Sequence, residues 1–145
     1  MTITFNPAGI TTHNIAIESG TFEGDFCLMV CNDYDKIHTI EVVESFYNNA
    51  KERLKDHHNI ECHFGNSPEI IRKLLEDIDE PVMFWLDAHY HGGTQSPDTM
   101  KPLLAELEAI ASHHIKTHMI MTDDVREFPV YGTTKCEVES ILKEI

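Results

Sequence analysis

The chain has 145 residues and a mass of 16.6 kDa, 41% of them hydrophobic and 25% charged, a composition that fits one ordinary globular domain with a core of its own. Asp and Glu number 25 against 11 Lys and Arg, a formal net charge of −14, which argues against a broad nucleic-acid face because such a surface repels phosphate backbones. The first residues carry no basic or apolar targeting pattern, no apolar run approaches the roughly 18 residues of a membrane span, and Cys27, Cys31, Cys62 and Cys136 form no framework, so a soluble, cytoplasmic protein with reduced thiols is expected.

In chain order, short apolar runs alternate with amphipathic ones. Asn14–Glu18 reads as a first strand, closed by a turn at Glu18-Ser19-Gly20, with a helix from about Phe22 to Asn32. Ile37–Val42 is a second, β-branched strand. The helix after it carries Phe46, Ala50 and Leu54 at i, i+4 and i+8. Asn59–Phe64 is a third strand, and Gly65-Asn66-Ser67-Pro68 starts a helix with Ser67 expected as N-cap and Pro68 at the first helical position. That helix has an apolar stripe of Ile70, Ile71, Leu74, Leu75 and Ile78. Pro81–Leu86 is the most hydrophobic run and reads as a strand buried on both faces. A polar, Gly-rich loop follows Asp87, then a helix with Leu103, Leu104, Leu107, Ile110 and Ala111. His118–Thr122 is a fifth strand ending at Asp123-Asp124, and a last helix starts near Lys135. Five strands with intervening helices predict a three-layer α/β domain spanning residues 1–145, with a parallel sheet and helices on both faces.

In such a sheet the ligand sits beyond the carboxyl ends of the strands, and four of the five ends carry a carboxylate. The first turn, Glu18-Ser19-Gly20-Thr21-Phe22-Glu23-Gly24, has acidic-x-Gly-x-x-x-Gly spacing rather than the Gly-x-Gly-x-x-Gly of dinucleotide folds. A pyrophosphate needs a helix N-terminus free of competing anions, whereas Glu18, Glu23 and Asp25 crowd this one and favour a ligand bearing positive charge, an amino group or a sulfonium. Glu41, about 20 residues past the first glycine, stands where an acid can take the hydroxyls of a ribose. The opposing reading makes these acids solvated surface and the glycines plain turn residues.

Taken together, the turn ESGTFEG, the acid of TIEV, the GNS step, LDAH after the fourth strand and TDD after the fifth resemble class I S-adenosylmethionine-dependent methyltransferases over roughly residues 13–145. The nearest variety has a fourth strand ending in Asp-Ala-His, and macrocin-type O-methyltransferases are a looser comparison. The resemblance implies a Rossmann-like sheet of strand order 3-2-1-4-5. It implies S-adenosylmethionine held by Glu18, Gly20, Thr21, Gly24, Glu41, Asn66, Ser67 and Asp87: Glu18 at the methionine amino group, Glu41 at the ribose, Asn66 at the adenine amino group and Asp87 by the transferring methyl. Against the pattern, the C-terminal antiparallel hairpin of such enzymes is lacking and the N-terminal cap is reduced to about a dozen residues. This leaves the edge of the fifth strand uncovered, so pairing with a second copy of the chain, as a homodimer or higher homo-oligomer, is expected.

Asp87-Ala88-His89-Tyr90-His91 is the densest chemical cluster, and in extended form it puts Asp87, His89 and His91 on one side, with Asp123 and Asp124 arriving from the neighbouring strand. Three readings stand. These residues bind a divalent metal (Mg, Mn, Zn or Fe) that lowers the pKa of a substrate hydroxyl, or His89 is a metal-free general base, or the second Asp caps the next segment and the histidines are surface. Of the ten histidines, the pairs His57-His58 and His113-His114 are placed at helix ends, where a cationic ring suits the dipole. His38, His63 and His118 are expected at hydrogen-bonded structural positions. Arg126 is a candidate for a substrate carboxylate or for an ion pair. The leading expectation is an S-adenosylmethionine-dependent methyltransferase with Asp87 and His89 catalytic and a hydroxyl or amine of a small molecule as acceptor. The rivals are a metal-dependent hydrolase or lyase on the same scaffold using Asp87, His89, His91 and Asp124, and a non-catalytic cofactor-binding or assembly protein.

Overall fold

The computed structural model describes residues 3–5, 13–88, 102–122 and 135–144. Among these residues six strands and five helices follow in the order β1 (Ile3–Phe5), β2 (Ile15–Ser19), α1 (Asp25–Val30), β3 (Lys36–Glu41), α2 (Glu44–Leu54), β4 (Ile60–Phe64), α3 (Ser67–Glu76), β5 (Val82–Leu86), α4 (Pro102–Ala111), β6 (Met119–Thr122) and α5 (Lys135–Leu142). The sheet order is β1-β6-β5-β2-β3-β4. Strands β2 to β6 are all parallel and are the five strands expected, in the expected order 3-2-1-4-5.

The strand absent from the sequence reading is β1. It pairs antiparallel with β6 in the register Ile3↔Thr122, Thr4↔Met121 and Phe5↔Ile120. The edge of β6 expected to lie open is therefore covered from within the chain, and the argument for a second copy there loses its premise.

Both faces of β2, β3 and β5 are largely buried, whereas the edge strand β4 is partly exposed, and the period-two alternation decides which side chain goes where. Ile17, Ile40, Phe84, Leu86 and Ile120 face α3, α4 and α5 and pack with Ile71, Leu75, Leu107, Ile110 and Val138. Ala16, Ile37 and Met83 face α1 and α2 and pack with Cys27, Ala50 and Leu54. On that second face Phe26 of α1 stacks on Trp85 with ring centroids 5.4 Å apart. Phe84 is fully buried, so truncating it to Ala costs about 3–5 kcal/mol.

Two local expectations change. Asn66, not Ser67, takes the N-cap position of α3, and no side-chain cap bond forms there. The Ser67 hydroxyl instead donates to the Glu106 carboxylate across the α3–α4 contact. His113 is not a solvated cation at a helix end but a buried ring, whereas His114 does meet an acid, with Nε2 2.7 Å from Asp79 Oδ1.

His113 and His118 form a chain whose tautomers follow from its ends. The Val82 N–H donates to His118 Nδ1 (3.1 Å), so His118 Nε2 carries the proton and donates to His113 Nδ1 (3.0 Å). His113 Nε2 then donates to the Ile78 carbonyl (2.9 Å). Both rings are neutral links, and burial lowers the pKa of both, that of His118 to about 4. The unfolded chain binds protons at these rings near pH 6.5 while the folded one does not, so their stabilisation is complete above that pH and is lost as the pH falls toward 4. For His118 this amounts to about 2–3 kcal/mol. In His118→Asn the amide oxygen still accepts from Val82, but the titrating ring and its edge contact with Phe84 are gone. Thermal melts between pH 4 and 7 should show a variant less stable by about 1–2 kcal/mol at pH 7 with a shallower acid decline. An acid decline as steep as in the parent chain would refute the assignment.

Candidate functional site

The carboxyl ends of β2, β3, β4 and β5 are tied to one another by backbone bonds that continue the sheet past its strands. Gly20 N–H and Thr21 N–H both donate to the Ile40 carbonyl (2.9 and 3.3 Å), Asp87 N–H to Ser19 O (3.1 Å) and Gly65 N–H to Glu41 O (2.9 Å). The turn after β2 fits this space because Gly20 has φ 85° and no side chain: a Cβ there would lie 2.6 Å from the Asp87 carbonyl oxygen. Gly24, at φ 79°, opens α1 and rests over Leu54. Arg53 reaches from α2 to the Glu23 carbonyl (2.6 Å) and Asp25 Oδ1 (2.7 Å), fixing the turn from the other side. Phe22 also has positive φ, 47°, unusual for a bulky residue, and its ring meets Phe46 edge-on at 4.8 Å.

That backbone strain aims the Phe22 N–H at Glu41 Oε2 (2.9 Å). The other oxygen of Glu41 accepts from Val42 N–H and Val43 N–H, each at 2.9 Å. Three backbone donors thus orient one buried carboxylate at the end of β3. A carboxylate offers about four lone-pair sites, so one acceptor site remains, on Oε2.

Glu18 lies under the same turn and is 2% exposed. Its Oε2 accepts from Thr39 Oγ1 (2.6 Å) and Cys27 Sγ (3.2 Å). Since Thr39 donates to Glu18, Thr21 donates to Thr39 (2.6 Å), and the chain Thr21–Thr39–Glu18 runs one way. Burial raises the Glu18 carboxyl to about 8 against those bonds, and the charges of Asp87 and Glu41 push it the same way. Burial and Glu18 together keep the Cys27 thiol protonated.

On the opposite face Glu106 of α4 is buried beside Ser67 and Ser19. Burial lifts its carboxyl to about 7, opposed chiefly by the Ser67 hydroxyl. The Ser19 hydroxyl makes no hydrogen bond of its own among the described residues, although it too favours the ionised Glu106.

The structure brings Glu18, Gly20, Thr21, Gly24, Glu41, Asn66, Ser67 and Asp87 to one end of the sheet, in the turns and strand ends where the sequence places them. Ser67 is turned toward Glu106 and Asn66 Nδ2 toward Glu69 Oε1 (3.3 Å). His89, His91, Asp123 and Asp124, and with them the loop metal site, lie outside the described residues, as does Arg126. Sequence reasoning missed Glu106, Thr39 and Cys27. For Glu106 a signal was present, since it shares the stripe of Leu103, Leu107 and Ile110 at i, i+3, i+4 and i+7 and so falls on the apolar side of its helix.

No protein-family model and no curated protein matches the chain. Solved structures do. A precorrin-6y C5,15-methyltransferase from Geobacter metallireducens superposes with a TM-score of 0.62 at 14% identity, over 92% of this chain and 65% of that one. An SAH-bound methyltransferase from Podospora anserina gives 0.60 at 10% identity, over 90% and 57%. An rRNA methylase from Streptococcus thermophilus gives 0.52 at 18%, over 83% and 68%. The fold is thus the Rossmann-like methyltransferase fold, and the chain spans little more than half the length of several structures it matches, 57% and 54% in two others.

Two outcomes test this geometry. Gly20→Ala, whose Cβ meets backbone, should destabilise the protein by more than about 2 kcal/mol in denaturant titrations. Glu106→Gln keeps an acceptor for Ser67 and removes an acid that stays neutral in the folded state while the unfolded chain ionises near pH 4.5. The parent chain loses stability from that group as the pH rises from 4.5 through 7, so the variant should gain on it over that range, by about 1–3 kcal/mol at pH 8. A constant difference between the two across that range would count against a buried, neutral Glu106.

Proposed function

We propose that this end of the sheet binds S-adenosylmethionine and that the chain is the catalytic core of a methyltransferase acting on a hydroxyl or amine of a small molecule. The observation that carries the reading is the Glu41 carboxylate, aimed by three backbone amides at the end of β3 with one acceptor site left on Oε2 for a ribose hydroxyl. Supporting it, Gly20 lets the turn lie directly against the Asp87 backbone and so gathers the strand ends, and Glu41 and Asp87, joined by Glu18 once it ionises, give the site the negative charge a sulfonium and an ammonium need.

In this reading Glu18 takes the amino group of the cofactor, and Gly20, Thr21 and Gly24 shape the space for its methionine part. Asn66 faces the adenine amino group with its carbonyl oxygen, because its amide nitrogen is turned to Glu69. Ser67 acts through the α3 N-terminus. Val42, exposed just after Glu41, offers an apolar surface to a planar ring. When bound, S-adenosylmethionine supplies an electrophilic methyl group. The chain's own part is to orient the acceptor in line with it and to exclude water, with Asp87 at the end of β5 taking the acceptor's proton. His89 shares that task in the metal-free form of the proposal, and His91, Asp123 and Asp124 complete the site in its metal-assisted form. The strongly acidic surface favours a small acceptor over a nucleic acid.

Glu18 makes the proposal testable by pH. Neutral in the ligand-free protein, it must ionise to hold an ammonium group, so binding releases a proton and affinity rises with pH from 6 to 8. Calorimetric titration with S-adenosylhomocysteine should show this trend, with Glu18→Gln flattening it and Glu41→Gln weakening binding by about tenfold or more. Absence of binding at every pH refutes the reading. Binding without methyl transfer to any hydroxyl or amine acceptor, with and without Mg2+ or Zn2+, would make the chain a cofactor-binding protein instead.

A further inference from the structure

Away from the site just described, β3 and the edge strand β4 carry a second group of ligating side chains. Their register pairs His38 with Glu61 and Ile40 with His63, so His38, Glu61 and His63 project from the same face of the sheet as Ile40, the face toward α3. One nitrogen or oxygen from each of the three lies within 4.8 Å of the others, and among the described residues no other trio of His, Cys, Asp or Glu meets that spacing. His38 Nδ1 is 2.9 Å from His63 Nε2, 3.9 Å from Glu61 Oε2, and His63 Nε2 is 3.8 Å from Glu61 Oε1.

We propose that His38 Nδ1, His63 Nε2 and one oxygen of Glu61 form a binding site for a borderline divalent cation of the Zn2+ type, with solvent completing its coordination. Bonds of 2.0–2.1 Å at tetrahedral angles separate ligand atoms by about 3.3 Å, which is between the distances present. The two rings need to part by a few tenths of an ångström and the carboxylate to close by about half an ångström. That movement falls on the group able to make it: the side chain of Glu61 is 50% exposed, whereas those of His38 and His63 are 11% and 19% exposed.

The rest of the surroundings fits the same assignment. Lys36 Nζ donates to Glu61 Oε2 (2.8 Å), which leaves Oε1, the oxygen nearer His63, to bind the ion while the ammonium steadies its partner oxygen. Lys36 and, more remotely, Lys73 oppose the ion's charge. That repulsion is set against the carboxylate and a chain of net charge −14. In the metal-free protein the two facing nitrogens share one proton in a hydrogen bond. Binding moves that proton to the far nitrogen of its own ring, so both facing nitrogens present lone pairs and no proton is released by the histidines. Two imidazoles and a carboxylate select Zn2+, Co2+ or Ni2+ over Mg2+ or Ca2+, which take oxygen-rich sites. The ion would clamp the edge strand β4 to its neighbour β3.

The test is titration of the full chain with Zn2+ and Co2+, read by melting temperature and by the visible absorption of four-coordinate cobalt, with Mg2+ as control. One equivalent of either metal should raise the melting temperature, and Mg2+ should not. Glu61→Gln, at an exposed position that leaves the fold intact, should weaken binding by at least about tenfold, and His63→Ala by about 100-fold, the losses scaled from those of outer-shell partners. If the parent chain binds neither metal, or if both variants bind as tightly as it does, the ion either is not held or sits at other residues, and the proposal fails.

Discussion

The fit of Gly20 against the carbonyl of Asp87 governs the arrangement at the carboxyl end of the sheet. Three strands converge there: β2 leads into the turn, β3 accepts both of the turn's first two N–H groups on one carbonyl, and β5 presses its own backbone into the gap where a side chain would stand. Because the turn is pinned on both sides, Phe22 is held at positive φ and its amide is delivered to Glu41. A single missing Cβ thus fixes the direction of a carboxylate on the neighbouring strand.

Buried ionisable groups are distributed unevenly around this frame. Glu18 and Glu106 lie at the carboxyl end, one on each face of the sheet, and both favour the neutral acid. The neutral histidine chain lies at the start of β5 and β6, and His38, pushed down to about 4 by burial, sits part-way along β3. Acids held neutral cost stability as the pH rises, and bases held neutral cost it as the pH falls. The two sets work against each other between about pH 4.5 and 6.5. Above that range only the acids still change the balance.

The parallel strands were legible because each is a short β-branched or apolar run bounded by Gly, Asn, Asp or Pro, whereas their order came only with the resemblance to class I methyltransferases. The strand-end acids were legible for the same reason, since the topology alone sends Glu18, Glu41 and Asp87 to one end. Partners set by tertiary contact were not. Ser67 has the local signature of an N-cap, yet a buried carboxylate 39 positions away outcompetes the helix terminus for its hydroxyl. His113 looks like a solvated helix end until His118 and the Ile78 carbonyl enclose it. The three-residue strand β1 alternates apolar and Thr residues but is too short to stand out as a strand, and its pairing is with the edge of β6.

That last pairing has a kinetic side. Ile3 and Thr122 are partners 119 positions apart (122 − 3), so the loop closed by β1 on β6 encloses nearly all the intervening sheet. At roughly 5–20 residues per second, a ribosome takes roughly 6–24 s to add that stretch, during which β1 has no mate. Strands β2 to β5 can assemble in that interval, whereas β1 joins only when β6 does. The first of the described strands to be made is thereby the last of them to dock, and the β6 edge of the nascent sheet is sealed by a segment already waiting in the same chain.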